Sequence, residues 1–138
     1  MKEQKGYSNG NKERDYKSGA EVQIARLLEK SGIAYRYEQP WAIVDRGKTR
    51  IWYPDFYLPE YSVIIEYFGI NGNSDYDERT KHKIETYKQN GIEGLFLTDR
   101  SLKGDWPARI MGQIEDILKN RLDKFNNRRG ENKKACQG

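Results

Sequence analysis

The chain has 138 residues, of which 36% are hydrophobic, 12% aromatic and 33% charged, a size and composition that suit one globular domain. One cysteine and one histidine exclude a disulfide framework, a Cys/His zinc site and any hydrolase that needs two histidines. The net charge of +4 is concentrated at the ends, because residues 121–138 hold six Lys or Arg against two Asp or Glu. No apolar run approaches the roughly 20 residues of a membrane span, so we expect a cytoplasmic protein without a membrane partner.

The periodicity of apolar residues predicts one α/β domain between two polar ends. Residues 1–17 are predicted to be a flexible basic arm, residues 18–125 the folded domain and residues 126–138 a disordered basic tail. Within the domain we expect a helix from Ser18 to Gly32, then strands at 34–38, 43–52, 52–58 and 63–68, with a turn at 45–48 between the halves of the second strand. A helix at 75–89, a strand at 92–97 and a helix from Asp105 to about Lys124 should follow. The predicted order is α-β-β-β-α-β-α, with a mixed central sheet flanked by helices.

Two acidic residues in consecutive predicted strands are the main indication of a functional site. If those strands form a tight hairpin that turns at Glu60 and Tyr61, Asp55 lies directly opposite Glu66, with Cβ atoms about 5 Å apart. Facing like charges destabilise a sheet, and a divalent cation between the two carboxylates would remove the repulsion. The alternative is that Asp55 faces solvent at a strand edge while Glu66 pairs with an arginine.

Glu21, Pro54-Asp55 and Glu66 together resemble the motif of the PD-(D/E)XK nuclease superfamily, the restriction-endonuclease-like fold. The resemblance covers almost the whole predicted domain. Within it, the sequence is similar to nuclease modules found beside some helicases and in phage and mobile elements. It implies a Mg²⁺-dependent deoxyribonuclease in which Mn²⁺ can substitute for Mg²⁺. It also implies that Asp55, Glu66 and the Tyr67 carbonyl hold the metal, and that Glu21 binds the metal directly or through a water molecule. It also implies a partner, either a second copy in a homodimer or a helicase-like protein.

The motif lysine of the family is missing, because position 68 is Phe68. The predicted helix after the acidic strand has an inward face made of Tyr76, Thr80, Ile84 and Tyr87. Lys83 lies roughly 55° from the centre of that face and Lys81 roughly 105° away. In the family this helix often carries a Gln-x-x-x-Tyr pattern, so the resemblance transfers the catalytic role to Lys83 and a supporting role to Tyr87. The alternative is that Lys83 extends its stem along the apolar face.

Other candidate residues have competing interpretations. Glu21 either closes a capping box with Ser18 or serves the metal, as the resemblance implies. The expected contacts to the DNA backbone are made by basic residues of the second strand, the middle helix and the tail, namely Arg46, Lys48, Arg50, Lys81, Arg128 and Arg129. Without its motif lysine, the domain is alternatively an inactive nuclease fold that binds DNA or a protein. A small interaction protein with accidental acidic residues would bind neither metal nor DNA.

Overall fold

A computed structural model describes the backbone of residues 16–69 and 74–137, and the side chains of residues 16–69 and 77–130. The first fifteen residues of the predicted arm lie outside the described residues. The helices are α1 (Gly19–Lys30), α2 (Ser74–Gln89) and α3 (Trp106–Gln137), with a short 3₁₀ helix at Asp99–Leu102. The strands are β1 (Arg36–Tyr37), β2 (Trp41–Asp45), β3 (Lys48–Trp52), β4 (Phe56–Leu58), β5 (Val63–Tyr67) and β6 (Glu93–Leu97).

The strands form a four-stranded mixed sheet and a separate two-stranded ribbon. The sheet has the order β1-β4-β5-β6, in which only β5 and β6 are parallel. The ribbon pairs β2 with β3 across the turn predicted at residues 45–48, where Arg46 and Gly47 have φ of 52° and 78°. Two consecutive positive φ angles make the tight turn that suits a β-hairpin. The α/β class and the mixed sheet are confirmed, but five strands rather than three precede α2.

The hairpin of β4 and β5 has the predicted register. Phe56 pairs with Ile65 and Leu58 with Val63, so the next residues outward, Asp55 and Glu66, stand opposite each other. The turn is closed by the N–H groups of Tyr61 and Ser62, which both donate to the carbonyl of Leu58. This turn sets the register, because a slip by one residue would move every side chain to the opposite face.

Both faces of the sheet are covered, which explains the continuous apolar sequence of β5. On one face α1 and α3 pack on the sheet through Ile24, Leu28, Phe56, Ile65, Leu97, Ile110 and Ile114. On the other face the ribbon and α2 pack on it through Ile43, Ile64, Tyr87, Trp52 and Phe96. Glu66 shares this second face with Ile64, two residues before it, so the acidic pair lies beneath α2.

The last helix is longer than the sequence predicted. It continues past Lys124 to Gln137, so residues 126–137 are helical where an irregular tail was expected. The apolar side chains of Leu122 and Phe125 are more than half exposed, so this part of α3 extends beyond the core. No helix among the described residues is long and apolar enough to cross a membrane.

Candidate functional site

Asp55 and Glu66 form a buried carboxylate pair at the open end of the β4–β5 hairpin. Their side chains belong to residues that are only 5% and 2% exposed. The N–H of Asp55 donates to Glu66 Oε1 at 3.0 Å, and the N–H of Tyr67 donates to Asp55 Oδ2 at 2.8 Å. Each carboxylate therefore accepts a bond from the backbone of the opposite strand, which holds both groups in place on one face of the sheet.

Helix α2 supplies Glu66 with a cation and a hydroxyl group. Lys83 Nζ lies 2.8 Å from Glu66 Oε2, and the Tyr87 hydroxyl donates to the same oxygen at 3.0 Å. Lys83 and Tyr87 are four residues apart and so share one face of the helix. The predicted inward direction of Lys83 is confirmed, whereas Lys81 is exposed. Glu66 pairs with a lysine, and not with an arginine as in the alternative interpretation.

Phe68, at the position where the resemblance places a lysine, forms part of the wall around Lys83. The Lys83 ammonium lies 5.9 Å from the ring centroids of both Phe68 and Trp52. The Phe68 ring in turn stacks on Phe96 with the centroids 6.1 Å apart. Aromatic faces attract a cation at this distance. Phe68, Phe96 and Lys83 therefore belong to one packing arrangement.

The two carboxyl groups differ in how well their charge is compensated. Burial, followed by repulsion from Glu66, raises the pKa of Asp55 to about 7, while the bond from the Tyr67 N–H opposes the rise. Burial, together with the nearby Glu66 charge, also raises the pKa of the Tyr87 hydroxyl above its usual value. Near neutral pH, Asp55 is therefore poised between its protonated and ionised forms, which is a common property of functional carboxyl groups.

The sequence analysis missed Lys17, which it placed in the flexible arm. Lys17 Nζ lies 2.7 Å from Glu38 Oε2 and 4.0 Å from Asp55 Oδ1. Its hydrogen bond to Glu38 raises the pKa of Lys17, against the opposing effect of burial. The sequence feature that could have indicated this is the position of Lys17 directly before Ser18, the N-cap of α1. A residue at that position is held in place by the helix. A second lysine therefore stands beside the acidic pair.

Glu21 is buried near the pair but is held by other groups. Ser18 caps α1 as predicted, with its Oγ accepting the Glu21 N–H at 3.2 Å. The Glu21 carboxylate does not return to Ser18, because its Oε1 accepts from the Tyr37 hydroxyl and from the Lys17 N–H. The capping-box interpretation is therefore only half realised. Burial and the bond to Glu21 raise the pKa of Tyr37.

The donor oxygens suit a hard divalent cation, although few residues supply them. Among the described side chains, no three His, Cys, Asp or Glu residues are grouped so that they could hold a metal ion. Mg²⁺ does not require such a group, because it keeps several waters and binds through one or two carboxylates plus substrate phosphates. Asp55 Oδ1 is available for this role, since Lys17 Nζ, at 4.0 Å, is beyond hydrogen-bond distance. Asp55 and Glu66 therefore fit the proposed metal in donor type.

Some of the residues predicted to contact DNA instead contact other side chains of the protein. Arg50 Nε lies 3.3 Å from Asp45 Oδ2, and His82 Nε2 lies 2.8 Å from Asp45 Oδ1. Arg46 approaches the other ring nitrogen of His82 at 3.5 Å. This cluster fastens the ribbon to α2, so Arg50 has a structural partner.

The remaining predicted DNA contacts lie on exposed surfaces. Lys48 and Lys81 are exposed on the ribbon and on α2, respectively. Arg128 and Arg129 are exposed on α3, where the Arg129 guanidinium lies 5.8 Å from the ring centroid of Phe125. These four side chains are open to a ligand.

No family model, curated protein or solved structure matches this chain. The function is therefore inferred from the site itself, which consists of the facing carboxylates of Asp55 and Glu66 and the Lys83 ammonium group against Glu66.

Proposed function

We propose that this protein is a metal-dependent nuclease that hydrolyses phosphodiester bonds in DNA, with Mg²⁺ as its metal and Mn²⁺ as a substitute. The observation that supports this most strongly is the buried pair of Asp55 and Glu66 with Lys83 Nζ at 2.8 Å from Glu66. Two carboxylates can hold a divalent cation that activates water, and an ammonium group can offset the charge that develops on a scissile phosphate. In this proposal the protein acts in the cytoplasm, as a homodimer or beside a helicase-like protein.

Each residue of the site would have a defined task in the reaction. Asp55 and Glu66, with the Tyr67 carbonyl and an outer contribution from Glu21, would hold Mg²⁺, which lowers the pKa of a water and offsets charge on the scissile phosphate. An ammonium group has three donors, so Lys83 can keep its bond to Glu66 and still donate to a phosphate oxygen or to the attacking water. Tyr87 would hold Glu66 in position through the hydroxyl bond of 3.0 Å.

The test is cleavage of linear, circular and branched DNA with Mg²⁺, Mn²⁺ or EDTA. Lys83→Ala should lower the cleavage rate by roughly 10²-fold or more, the scale seen when one electrostatic group is removed from a preorganised site. Arg79→Ala, which removes an exposed cation of the same helix, is the control and should cleave at the wild-type rate. Both variants are first checked for folding by circular dichroism, because Lys83→Ala leaves the buried Glu66 charge without its cation. Normal cleavage by Lys83→Ala would remove this lysine from the mechanism.

A second candidate function is a nuclease-like module that binds DNA without cutting it. Its specific support is that the carboxylates already have cations, Lys83 at 2.8 Å from Glu66 and Lys17 at 4.0 Å from Asp55. Titration with Mn²⁺ in a calorimeter separates the two functions, with Asp55→Asn as the control. A nuclease requires metal binding that the variant loses. DNA binding without metal binding or cleavage would favour the module, and the absence of all three would favour a protein-interaction domain.

A further inference from the structure

A cleft of about 670 Å³ lies at the outer edge of the sheet. It is bounded by the second half of α3, the edge strand β6 and the end of α2. The residues that matter for its chemistry are Lys88, Phe96, Arg121, Lys124, Phe125 and Arg128. Four of these six side chains are cationic and two are aromatic, so the cleft joins positive charge to apolar surface.

One of the four cations is used to build the cleft. The Arg121 guanidinium contacts the carboxylate of Glu93 and donates to the carbonyls of Tyr61 and Ser62. These bonds attach α3 to the start of β6 and to the β4–β5 turn. They also neutralise Glu93, which is the acidic residue of the lining. Arg121 therefore maintains the shape of the cleft, and the other three cations of the cleft take no part in these bonds.

The other three cations have no acidic partner in the described part of the chain. Lys88, Lys124 and Arg128 all line the cleft and all are exposed, and none lies within 4.0 Å of an acidic oxygen of a described side chain. Three uncompensated positive charges around one concave surface attract a polyanion, and each contact with a phosphate releases a bound counterion.

The aromatic residues lie at two ends of the cleft. Phe125 is 56% exposed on α3. Phe96 lies at the other end, where its ring stacks on Tyr87 with the centroids 6.0 Å apart, and the strand register places it opposite Glu66. Glu93 and Phe96 are three residues apart on β6, which corresponds to about 10 Å of strand. The cleft therefore leads from α3 toward the strand that carries the acidic pair.

We propose that this cleft binds a short length of single-stranded nucleic acid, with its phosphates on Lys88, Lys124 and Arg128 and a base stacked on Phe125. Proteins that bind single strands combine a cationic groove with exposed aromatic rings in this way. A duplex fits less well, because its bases are already stacked and a groove of this volume cannot enclose it. The identity of the ligand rests on the proposed nuclease function, and the cleft would then hold the strand on one side of the cleavage site.

The test measures binding alone, with the full chain, EDTA and a fluorescent oligothymidylate of about 12 nucleotides. The double variant Lys124→Ala/Arg128→Ala should weaken binding at least tenfold and should lower the slope of log affinity against log salt by about 1.4, because each single-strand phosphate contact contributes about 0.7. The control Lys103→Ala/Lys119→Ala removes the same charge from exposed positions outside the cleft and should have a smaller effect on both quantities. Equal losses in the two double variants would overturn the proposal.

Phe125 provides a second and independent measurement. Phe125→Ala should weaken binding by about tenfold with an unchanged salt slope. Stacking of a base on an aromatic ring contributes to the binding free energy without neutralising a phosphate charge. Leu122→Ala, at the neighbouring exposed apolar position of α3, is the control and should bind as the wild type. An unchanged affinity of Phe125→Ala would contradict the stacking contact.

Competitors identify the class of ligand. Polyglutamate of equal length should compete weakly, and a duplex of the same length should bind more weakly than the single strand. If polyglutamate competes as well as the oligonucleotide, the cleft is a site for acidic peptides and the proposal is wrong. Failure of the nuclease function would appear as absent cleavage with intact binding in EDTA. Failure of the cleft proposal would appear as wild-type binding by the cleft variants, whether or not DNA is cleaved.

Discussion

The two carboxylates of the site differ in the charged and polar groups that surround them. Glu66 has the Lys83 ammonium at 2.8 Å and the Tyr87 hydroxyl at 3.0 Å. Asp55 has a bond from the Tyr67 N–H and a more distant cation, Lys17, at 4.0 Å. Burial, and after it the repulsion from the neighbouring Glu66 charge, therefore raises the pKa of Asp55 to about 7.

The raised pKa of Asp55 predicts how the stability of the metal-free protein depends on pH. Since burial and Glu66 raise this pKa from 3.8 to about 7, the folded state binds more protons than the unfolded state between these values. The free energy of unfolding should therefore fall as pH rises through this range, by at most about 1.4 kcal/mol per pH unit, and should not recover at higher pH.

Asp55→Asn should remove this dependence and raise the stability of the metal-free protein above neutral pH. Urea unfolding from about pH 5 to pH 8 measures both effects. Asp116→Asn, at an exposed position of α3, is the control and should keep the wild-type slope. If Asp55→Asn and the wild type show parallel pH profiles, Asp55 does not carry the repulsion. Glu66→Gln should not stabilise the protein in the same way, since it breaks the ion pair with Lys83.

At the scale of secondary structure, the parallel pairing of β5 with β6 builds the floor of both the site and the cleft. Ile64 pairs with Gly94 and Glu66 with Phe96. A Cβ at Gly94 would lie 2.5 Å from Ile64 Cγ1 and 2.9 Å from the Ile64 carbonyl oxygen. Glycine is therefore required here by the close approach of the two strands, and not by a special backbone angle.

Gly94→Ala should destabilise the protein by about 1–3 kcal/mol, because the added methyl group forces β5 and β6 apart in a packed region. Gly112→Ala is the matched control, since its Cβ would meet no atom within 4 Å and alanine favours a helix interior by up to about 1 kcal/mol. Urea unfolding of both variants at one pH compares the two effects. Equal stability of Gly94→Ala and the wild type would mean that the strands can separate without cost.

At the scale of the whole molecule, charge is separated along the chain. The segment 18–120 holds 14 basic and 16 acidic residues, whereas residues 121–138 hold six basic and two acidic ones. Helix α3 carries this basic segment past the core, where its described residues 122–130 are exposed. A polyanion would therefore meet the cationic end of α3 before it reaches the acidic pair, and the two regions would have separate tasks.

Deletion of residues 126–138 should weaken binding to DNA without sequence preference and should flatten its salt dependence. The fold should persist, because residues 126–130 make no contribution to the buried core. Binding measured over a range of salt concentrations gives the slope, and urea unfolding serves as the control for folding. Unchanged affinity and slope in the truncated protein would show that this end of α3 is only a solvated extension.

Features that depend on local periodicity could be predicted from the amino-acid sequence. The turn at Glu60 and Tyr61 placed Asp55 opposite Glu66, and the helical repeat turned Lys83 inward, because strand register and helix phase are set by a few neighbouring residues. The end of α3 was predicted less well, since an exposed polar helix and an irregular tail have similar compositions.

Contacts between distant segments could not be predicted from the sequence, because they depend on the fold. It brought Lys17 beside Asp55 and Glu38, joined Glu21 to Tyr37 and fastened His82 to Asp45. It also placed α3 against β6 to form the basic cleft. None of these contacts follows a sequence period, because each depends on how helices and strands pack across the sheet. The acidic pair and Lys83 were therefore predictable from the sequence, whereas the position of Lys17 and the basic cleft required the fold.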